Sequence, residues 1–397
     1  MKTLHISILI LLFIILLSTD IPATAYSSPG YNAGTMDKKK KDKNEKEDDN
    51  DDGTKHEKND NKENNSHYKC GPYCSHSDKK PPKLYGPSQR NLEVEYKFHI
   101  SNLPANMRTA YAWVPMPRTT SYQTLIDYKV SGNWKYKIVS DRIYGNQYLM
   151  IDLISNENRK SPNAQIKVKY NVHRESWQPI SACIDNSSNR HFDERRYLEP
   201  DRYVPIDGDL RNEAKIIIGS ESGFHVQARL LFDNIVANIR YDESGLSTSK
   251  GDAWQTWQNR SGSSTDIHSM FIGETRSVDI PSRLVAGITV PIGSKGEISL
   301  YHTWAEFYDP GLGWLPVDIA DAINKPDYRD SYFGGLDANR IEFTIGRDIP
   351  IPGAGSKPVN ISFYPHVEVN GRVHNDVKTS ISYKEKPGHG NKNKHHD

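Results

Sequence analysis

The chain has 397 residues, with 51 Lys and Arg against 50 Asp and Glu, so its formal net charge is only +1. This balance disfavours binding to nucleic acid or to a charged membrane surface, because both depend on an excess of basic side chains. The length alone is a poor guide to the number of domains, because both ends of the chain differ in composition from its middle.

The first 25 residues have the pattern of a secretory signal peptide. Lys2 precedes an apolar run over 6–17, and the A-T-A sequence at 23–25 fits a small-residue cleavage site. The run is short for a spanning helix, which needs roughly 20 residues. We therefore predict a signal peptide over 1–25, an exported (periplasmic or extracellular) protein, and no stable membrane insertion after cleavage. An uncleaved membrane anchor is the alternative.

Residues 26–87 are predicted to form a disordered, charged linker. Residues 36–67 hold almost no apolar side chains and alternate blocks of Lys with blocks of Asp and Glu. Such a segment buries too little surface to offset the entropy lost on ordering. The C-terminal segment 385–397 is predicted to be a disordered tail on the same grounds.

The cysteines give no clear metal or cofactor signature. Cys70 and Cys74 lie in H-Y-K-C-G-P-Y-C-S-H, where His67 and His76 flank them, and Cys183 stands alone. The spacing matches no strong zinc pattern and lacks C-x-x-C-H. We expect a short disulfide loop or free thiols, with no cofactor and no metal; a metal or cofactor at this loop is the alternative.

Residues 88–180 are predicted to form an antiparallel β domain, of the sandwich type. Apolar and polar residues alternate strictly over 91–100, which is typical of a half-buried strand. Further short apolar runs follow, separated by Gly, Asn, Pro and Ser.

Residues 195–325 are predicted to form an α+β core. Apolar residues recur every three or four positions from Ala228 to Ile239, which indicates one buried stripe on a helix. A second helix should begin near Ser264, because Ser, Thr and Asp residues that favour a first turn cluster there. Two strands joined by a Gly-rich turn follow at 301–320, and 326–384 is predicted to be a C-terminal β extension.

Four ordered motifs carry a resemblance to a known family. They are S-T-D at 264–266, I-P-S-R at 280–283, H-T-W-A-E-F-Y at 302–308 and P-G-L-G-W-L-P-V-D at 310–318. They resemble the transglutaminase-like superfamily, whose members show G-x-C-x-D, I-P-A-R, H-x-W-x-E and G-W-x-x-x-D. The resemblance covers roughly residues 195–325 and implies a papain-like, cysteine-protease-type core; the segments after it look like those of bacterial exported relatives.

The resemblance places the family's catalytic residues on Ser264, His302 and Asp318. In the family, a thiol at a helix N-terminus ionises beside the imidazole and attacks an amide, and the acyl group then passes to an amine or to water. The aspartate orients the imidazole. Ser264 stands where the thiol is expected. A serine has no accessible ionised state, so the base must take its proton during the attack.

Each of these residues also has a structural interpretation. Ser264 could simply cap the helix, it could carry serine-based acyl chemistry, or Cys183 could be a displaced nucleophile. His302 could be a structural side chain, and Asp318 a turn residue. Structural roles are expected for Asp266 and Arg283.

Two tryptophans precede the second helix. Trp254 and Trp257 could wall a substrate groove or lie in the core.

Three functions fit the sequence. The leading hypothesis is a catalytically impaired family member that binds peptide, protein or cell-envelope polymer segments in the former active-site groove. The alternatives are an active Ser-His-Asp amide hydrolase or acyltransferase on protein or peptidoglycan-like substrates, and a non-catalytic scaffold. No EF-hand-like loop is present, so calcium dependence stays open.

Overall fold

The computed structural model describes five stretches of the chain: 82–154, 161–178, 194–242, 250–299 and 301–387. All of them belong to one compact unit. The predicted signal peptide, nearly all of the linker and of the C-terminal tail, and the three cysteines lie outside these stretches. Within them, no helix combines the length and the apolar character needed to cross a membrane.

The described strands are numbered in chain order. They are β1 Gln89–Ile100, β2 Ala110–Pro115, β3 Gln123–Ser131, β4 Lys135–Ser140, β5 Gln147–Asp152, β6 Ala164–Glu175, β7 Arg240–Tyr241, β8 Ser261–Gly262, β9 Ser282–Thr289, β10 Lys295–Ile298, β11 His302–Asp309, β12 Gly313–Val317, β13 Arg340–Ile345, β14 His366–Val369, β15 Arg372–Val373 and β16 Val377–Glu385. The helices are α1 Gly208–Ile218, α2 Phe224–Asn238, α3 Ala253–Asn259, α4 Ser264–Ser277 and α5 Ile319–Asn324, with 3-10 turns at Glu194–Tyr197 and Pro326–Tyr332.

Two five-stranded sheets form the predicted sandwich. Their strand orders are β10-β16-β1-β6-β3 and β15-β14-β2-β5-β4, and all neighbours within them run antiparallel. The alternation in β1 is complete, because every second residue from Leu92 to Ile100 is buried. Apolar side chains from both sheets, and from β9 and β13, meet in one hydrophobic cluster. The antiparallel β-sandwich is therefore confirmed.

The second layer of the molecule packs helices on a four-stranded antiparallel sheet of order β12-β11-β9-β13. Helix α4 is central to it, and every one of its residues is buried. Its apolar side chains share a cluster with those of α1, α2, β9, β11 and β12. Helices precede the strands of this sheet, so the predicted α+β class is confirmed.

Strands from late in the chain complete sheets that begin early in it. β14 pairs with β2, and β16 lies between β1 and β10, where it pairs with both. The segment predicted as a C-terminal extension thus supplies strands to both sheets of the sandwich, and β10 joins the first sheet from within the predicted core segment.

The two predicted helices are present. α2 buries Ala228, Leu231, Phe232 and Ile235 on one face, as the apolar stripe predicts, and α4 begins at Ser264. No pattern in the sequence predicted α1, α3 or α5. The last two have seven and six residues, which is too short for a periodic pattern to emerge.

Candidate functional site

Ser264 is the first residue of α4, and the residue before it provides the cap. Ser263 forms a capping box with Asp266, whose carboxylate accepts hydrogen bonds from Ser263 N at 3.1 Å and Ser263 Oγ at 2.7 Å. The same carboxylate accepts from Gly251 N at 2.9 Å. The interpretation of Ser264 as the cap is therefore wrong: the cap lies one residue earlier, and the Ser264 side chain is available for another contact.

The Ser264 hydroxyl belongs to a buried group of hydroxyls. Thr303 Oγ1 donates to Ser264 Oγ at 3.4 Å and lies at the same distance from Thr265 Oγ1. Thr265 Oγ1 is in turn 3.2 Å from Tyr301 Oη. Tyr301 and Thr303, which flank His302 in the chain, therefore connect the start of β11 to the first turn of α4.

His302 and Asp318 are joined directly. His302 Nε2 lies 2.7 Å from Asp318 Oδ2. Because the carboxylate can only accept, Nε2 carries the proton, and in the neutral ring Nδ1 is left as the nitrogen that can take up a proton from a neighbour. Within the described residues, no hydrogen bond connects the His302 ring to Ser264 Oγ.

Asp318 is the most constrained of the three residues. It caps α5 by accepting from Asp321 N at 3.0 Å, and its other oxygen accepts from Arg340 at 2.5 and 2.9 Å. Burial alone would raise the pKa of Asp318, but the neighbouring His302 and Arg340 outweigh burial and hold that pKa well below its usual range. Asp318 is therefore a carboxylate at any ordinary pH, and it is both a turn residue and the partner of the imidazole.

Arg340 supplies the positive charge of this region. Its guanidinium also pairs with Asp321 and, at 2.8 Å, with Asp337. Ligand atoms of His302, Asp318 and Asp321 lie within 4.8 Å of one another, which is a spacing that a metal ion can bridge. Arg340 binds oxygens of both carboxylates, so a cation is already in place there, and we assign these side chains to a hydrogen-bonding network.

A second histidine links the parts of the site. His268 lies one turn after Ser264 on α4, with Nδ1 2.6 Å from Ser264 O, and its Nε2 accepts from Ile319 N at 2.9 Å. The backbone partners fix the neutral tautomer with the proton on Nδ1. Burial lowers the pKa of His268 to about 4. This ring thus ties the start of α5, beside Asp318, to the helix that begins at Ser264.

A glycine allows β11 to lie close to β9. Gly287 is directly opposite His302, and a Cβ at this position would lie 2.2 Å from Ile341 O and 2.9 Å from the Trp304 ring. The Trp304 and His302 rings stack with centroids 6.4 Å apart. Any larger residue at 287 would therefore clash with the backbone of β13 and with the Trp304 ring, which stacks on His302.

Comparisons with known proteins agree with this architecture. Residues 214–319 match the sequence model described as the transglutaminase-like superfamily. The chain has a transglutaminase-like core. An uncharacterized protein of Haemophilus influenzae is 27% identical to it over 299 residues, which cover 65% of this chain and 80% of that protein. A solved structure of a candidate cysteine protease from Cytophaga hutchinsonii is 14% identical, covers 76% of this chain and 99% of that chain, and has a TM-score of 0.50, which shows a shared fold.

The other residues singled out in the transglutaminase-like core have structural contacts. Arg283 pairs with Glu306 at 2.6 Å and lies over the Trp314 ring at 4.0 Å. Trp254 and Trp257 stack on each other with centroids 4.9 Å apart, and Trp257 donates to Glu213. Neither tryptophan lines the groove described next.

A groove opens beside the first turn of α4. Its volume is about 370 Å³, and Tyr301, Phe363, Tyr364 and His366 contribute rings to its wall, together with Lys250. Tyr301 connects it to Thr265, next to Ser264, and the Tyr364 ring is 45% exposed. The groove therefore presents an aromatic wall, and its contact with the start of α4 runs through the Tyr301 hydroxyl.

Sequence reasoning missed Arg340, His268 and Thr303. Arg340 begins the strand R-I-E-F-T-I, whose alternation of polar and apolar residues is typical of a half-exposed strand, so the sequence gives no local signal that Arg340 is buried. His268 lies four residues after Ser264, on the same helix face, which is a spacing that predicts contact but not its purpose.

Proposed function

We propose that this protein is an exported, transglutaminase-like protein whose acyl-transfer chemistry is impaired and which binds peptide or polymer segments in the groove beside Ser264. One observation supports it most directly: in the part of the chain that the structure describes, the Ser264 hydroxyl accepts a hydrogen bond from Thr303 Oγ1 and has none to the His302 ring. A serine needs that ring to remove its proton during attack, whereas a thiol in the same place ionises at rest.

A second function is favoured by a different observation. The intact His302–Asp318 bond leaves Nδ1 of the ring able to accept a proton, as a Ser-His-Asp hydrolase or acyltransferase requires. Hydrogen bonds of a catalytic site often form only when substrate binds. This alternative predicts that a fluorophosphonate modifies Ser264 in the native protein and fails to modify Ser264→Ala.

The deciding experiment restores sulfur. We expect Ser264→Cys to be alkylated by iodoacetamide at residue 264 at pH 6 and to incorporate a fluorescent primary amine into casein, because the helix N-terminus and His302 favour a thiolate. The double variant Ser264→Cys/His302→Ala should lose at least about 100-fold of the incorporation rate. Fluorophosphonate labelling of the native Ser264 would instead establish the hydrolase, and an inert Ser264→Cys variant would leave only the scaffold.

Binding in the groove is tested separately with two matched tyrosines. Tyr364 lines the groove and is 45% exposed, while Tyr136 is 44% exposed on β4. We expect retention on purified peptidoglycan sacculi or on immobilised casein peptides to fall at least about fivefold in Tyr364→Ala, which is about 1 kcal/mol, and to persist in Tyr136→Ala. Equal retention of the two variants, or no retention of the native protein, would contradict the proposal.

A further inference from the structure

Lysines lie opposite one another on the outer face of the first sheet. Lys97 on β1 pairs in register with Lys167 on β6, and Lys169 on β6 pairs with Lys129 on β3. Side chains directly opposite in an antiparallel pair have Cβ atoms about 4.5–5.5 Å apart, and like charges at this separation are destabilising. Two such pairs side by side are costly to the sheet unless enough negative charge lies close to them.

The sheet itself provides too little negative charge for this. The Glu95 carboxylate lies 3.5 Å from both Lys167 and Lys169 and 3.8 Å from Lys97, so three ammonium groups share one acid. The Glu93 carboxylate is occupied by Lys169 at 2.8 Å and Lys386 at 2.9 Å. The face therefore keeps an excess of positive charge at the end where Lys97 and Lys167 lie.

That end of the face contains a cleft of about 490 Å³, which we call the sheet-face cleft. It is lined by Lys97, Lys167, Ser131, Trp134, Asn163 and Gln165, among others. Trp134 is half-buried and packs on the hydrophobic cluster of the sandwich, so its ring is held in place, while both amide side chains are exposed. The cleft thus combines one fixed aromatic ring, two ammonium groups, two exposed amides and the hydroxyl of Ser131.

We propose that the sheet-face cleft binds an acidic polysaccharide chain. An indole offers an apolar platform for the C–H face of a sugar ring, amides pair with sugar hydroxyls as donor and acceptor, and ammonium groups pair with the acidic substituents. A nucleic acid fits less well, because a single-stranded chain needs several stacking rings and a basic groove, and the net charge of the whole protein is only +1. The inference is independent of the chemistry at Ser264.

The test uses the full chain and a polygalacturonate oligosaccharide, with binding followed by calorimetry. We expect Lys97→Ser/Lys167→Ser to weaken binding by about tenfold or more, because two charge-assisted contacts are lost. The matched control is Lys295→Ser/Lys384→Ser, which removes another pair of opposite lysines from the same sheet, outside the cleft. This control variant makes the same change of charge, and its affinity for the oligosaccharide should stay within about twofold of that of the native protein.

Trp134 gives the second measurement. Trp134→Phe keeps a ring on the core and should bind within a few fold of the native protein, while Trp134→Ala should bind at least about tenfold more weakly at a temperature where circular dichroism shows both variants to be folded. The proposal would be overturned if the Lys295/Lys384 control lost as much affinity for the uronate as the Lys97/Lys167 variant. It would also be overturned if the native protein bound oligo-dT or neutral dextran as tightly as it binds the uronate. Absence of uronate binding by the native protein would also overturn it.

Discussion

The hydroxyl of Ser264 and a thiol in the same position differ in how each becomes a nucleophile. The surroundings of Ser264 supply what a thiolate uses: a helix N-terminus, a histidine with its aspartate, and an arginine that holds the aspartate ionised. None of these removes the proton of a serine at rest. Loss of the nucleophile from a Ser-His-Asp triad can cost about six orders of magnitude in rate, which is the scale of the effect that the proposed function assigns to oxygen in place of sulfur.

Glu274, also on α4, is a buried acid without a hydrogen bond from the described residues. Its side chain is fully buried, and neither oxygen has a partner. Burial raises the pKa of Glu274 well above its ordinary value of 4.5, and the nearby Glu213 raises it further. The folded protein therefore holds a proton here that the unfolded chain gives up.

We predict that Glu274→Gln removes a pH dependence of stability. Because the folded state binds the extra proton, the native free energy of unfolding should fall as pH rises above 4.5, by up to about 1.4 kcal/mol per pH unit until the folded pKa is reached. Glutamine does not ionise, so the free energy of unfolding of the variant should rise relative to that of the native protein between pH 5 and pH 8. Urea unfolding of both proteins at pH 5 and at pH 8 measures this difference.

The control for Glu274 is an exposed acid in the same molecule. Glu297→Gln on β10 removes the same charge from the surface. It should shift the free energy of unfolding by less than about 0.5 kcal/mol at either pH. A slope in Glu274→Gln equal to that of the native protein would show that the acid is paired or hydrated.

At the scale of elements, the His268 ring connects α4 to α5, and both of its hydrogen bonds to the backbone require the uncharged form of the ring. A depressed histidine pKa means that the unfolded chain binds the proton more readily than the folded one. The stabilising effect of the neutral ring is therefore complete above pH 6.5 and is lost as pH falls from 6.5 towards 4. The lowered pKa of His268 corresponds to a contribution of at most about 3 kcal/mol to the free energy of unfolding.

His268→Gln is the variant that tests this joint. Glutamine can offer a donor to Ser264 O and an acceptor to Ile319 N without titrating. We expect the variant to lose less stability than the native protein between pH 7 and pH 4.5, as measured by chemical denaturation at both values. His374→Gln, a half-buried histidine beyond β15, is the control. If the native protein and His268→Gln lose the same free energy, the ring does not limit acid stability.

The sequence predicted elements wherever local pattern decides them. The alternation in β1 and the stripe on α2 are consequences of burial on one face, and the first turn of α4 is recognisable by its Ser, Thr and Asp residues. The pairing of His302 with Asp318, whose side chains lie 2.7 Å apart, was predicted from the family resemblance and not from a local pattern. Arg340 was missed because its partner, Asp318, lies on another element and outside any local repeat.

At the scale of the whole molecule, β16 is the strand on which the first sheet depends. Ile381 on β16 is buried and lies opposite Tyr96 of β1 on one side and Ile298 of β10 on the other. No local pattern predicts this pairing, because the register between segments so distant in sequence is set by tertiary packing.

We predict that Ile381→Ala costs about 2–5 kcal/mol of unfolding free energy, since it opens a cavity between two strands. Because the described residues belong to one compact unit, amides of β1 and α4 should lose hydrogen-exchange protection together. Val373→Ala, on the exposed β15, is the control and should cost less than about 1 kcal/mol. Loss of protection in β1 with α4 unaffected would show that sandwich and core unfold separately.

The position of β16 also sets when the first sheet can close during synthesis. Arg90 at the start of β1 bonds Glu385 at the end of β16, a partner 295 residues later. At a translation rate of about 5–20 residues per second, one edge of β1 waits roughly 15–60 seconds for that partner on the ribosome. Until then that edge of β1 exposes unpaired N–H and C=O groups that can pair with another strand, and a chain truncated before residue 377 lacks β16 and leaves the edge open.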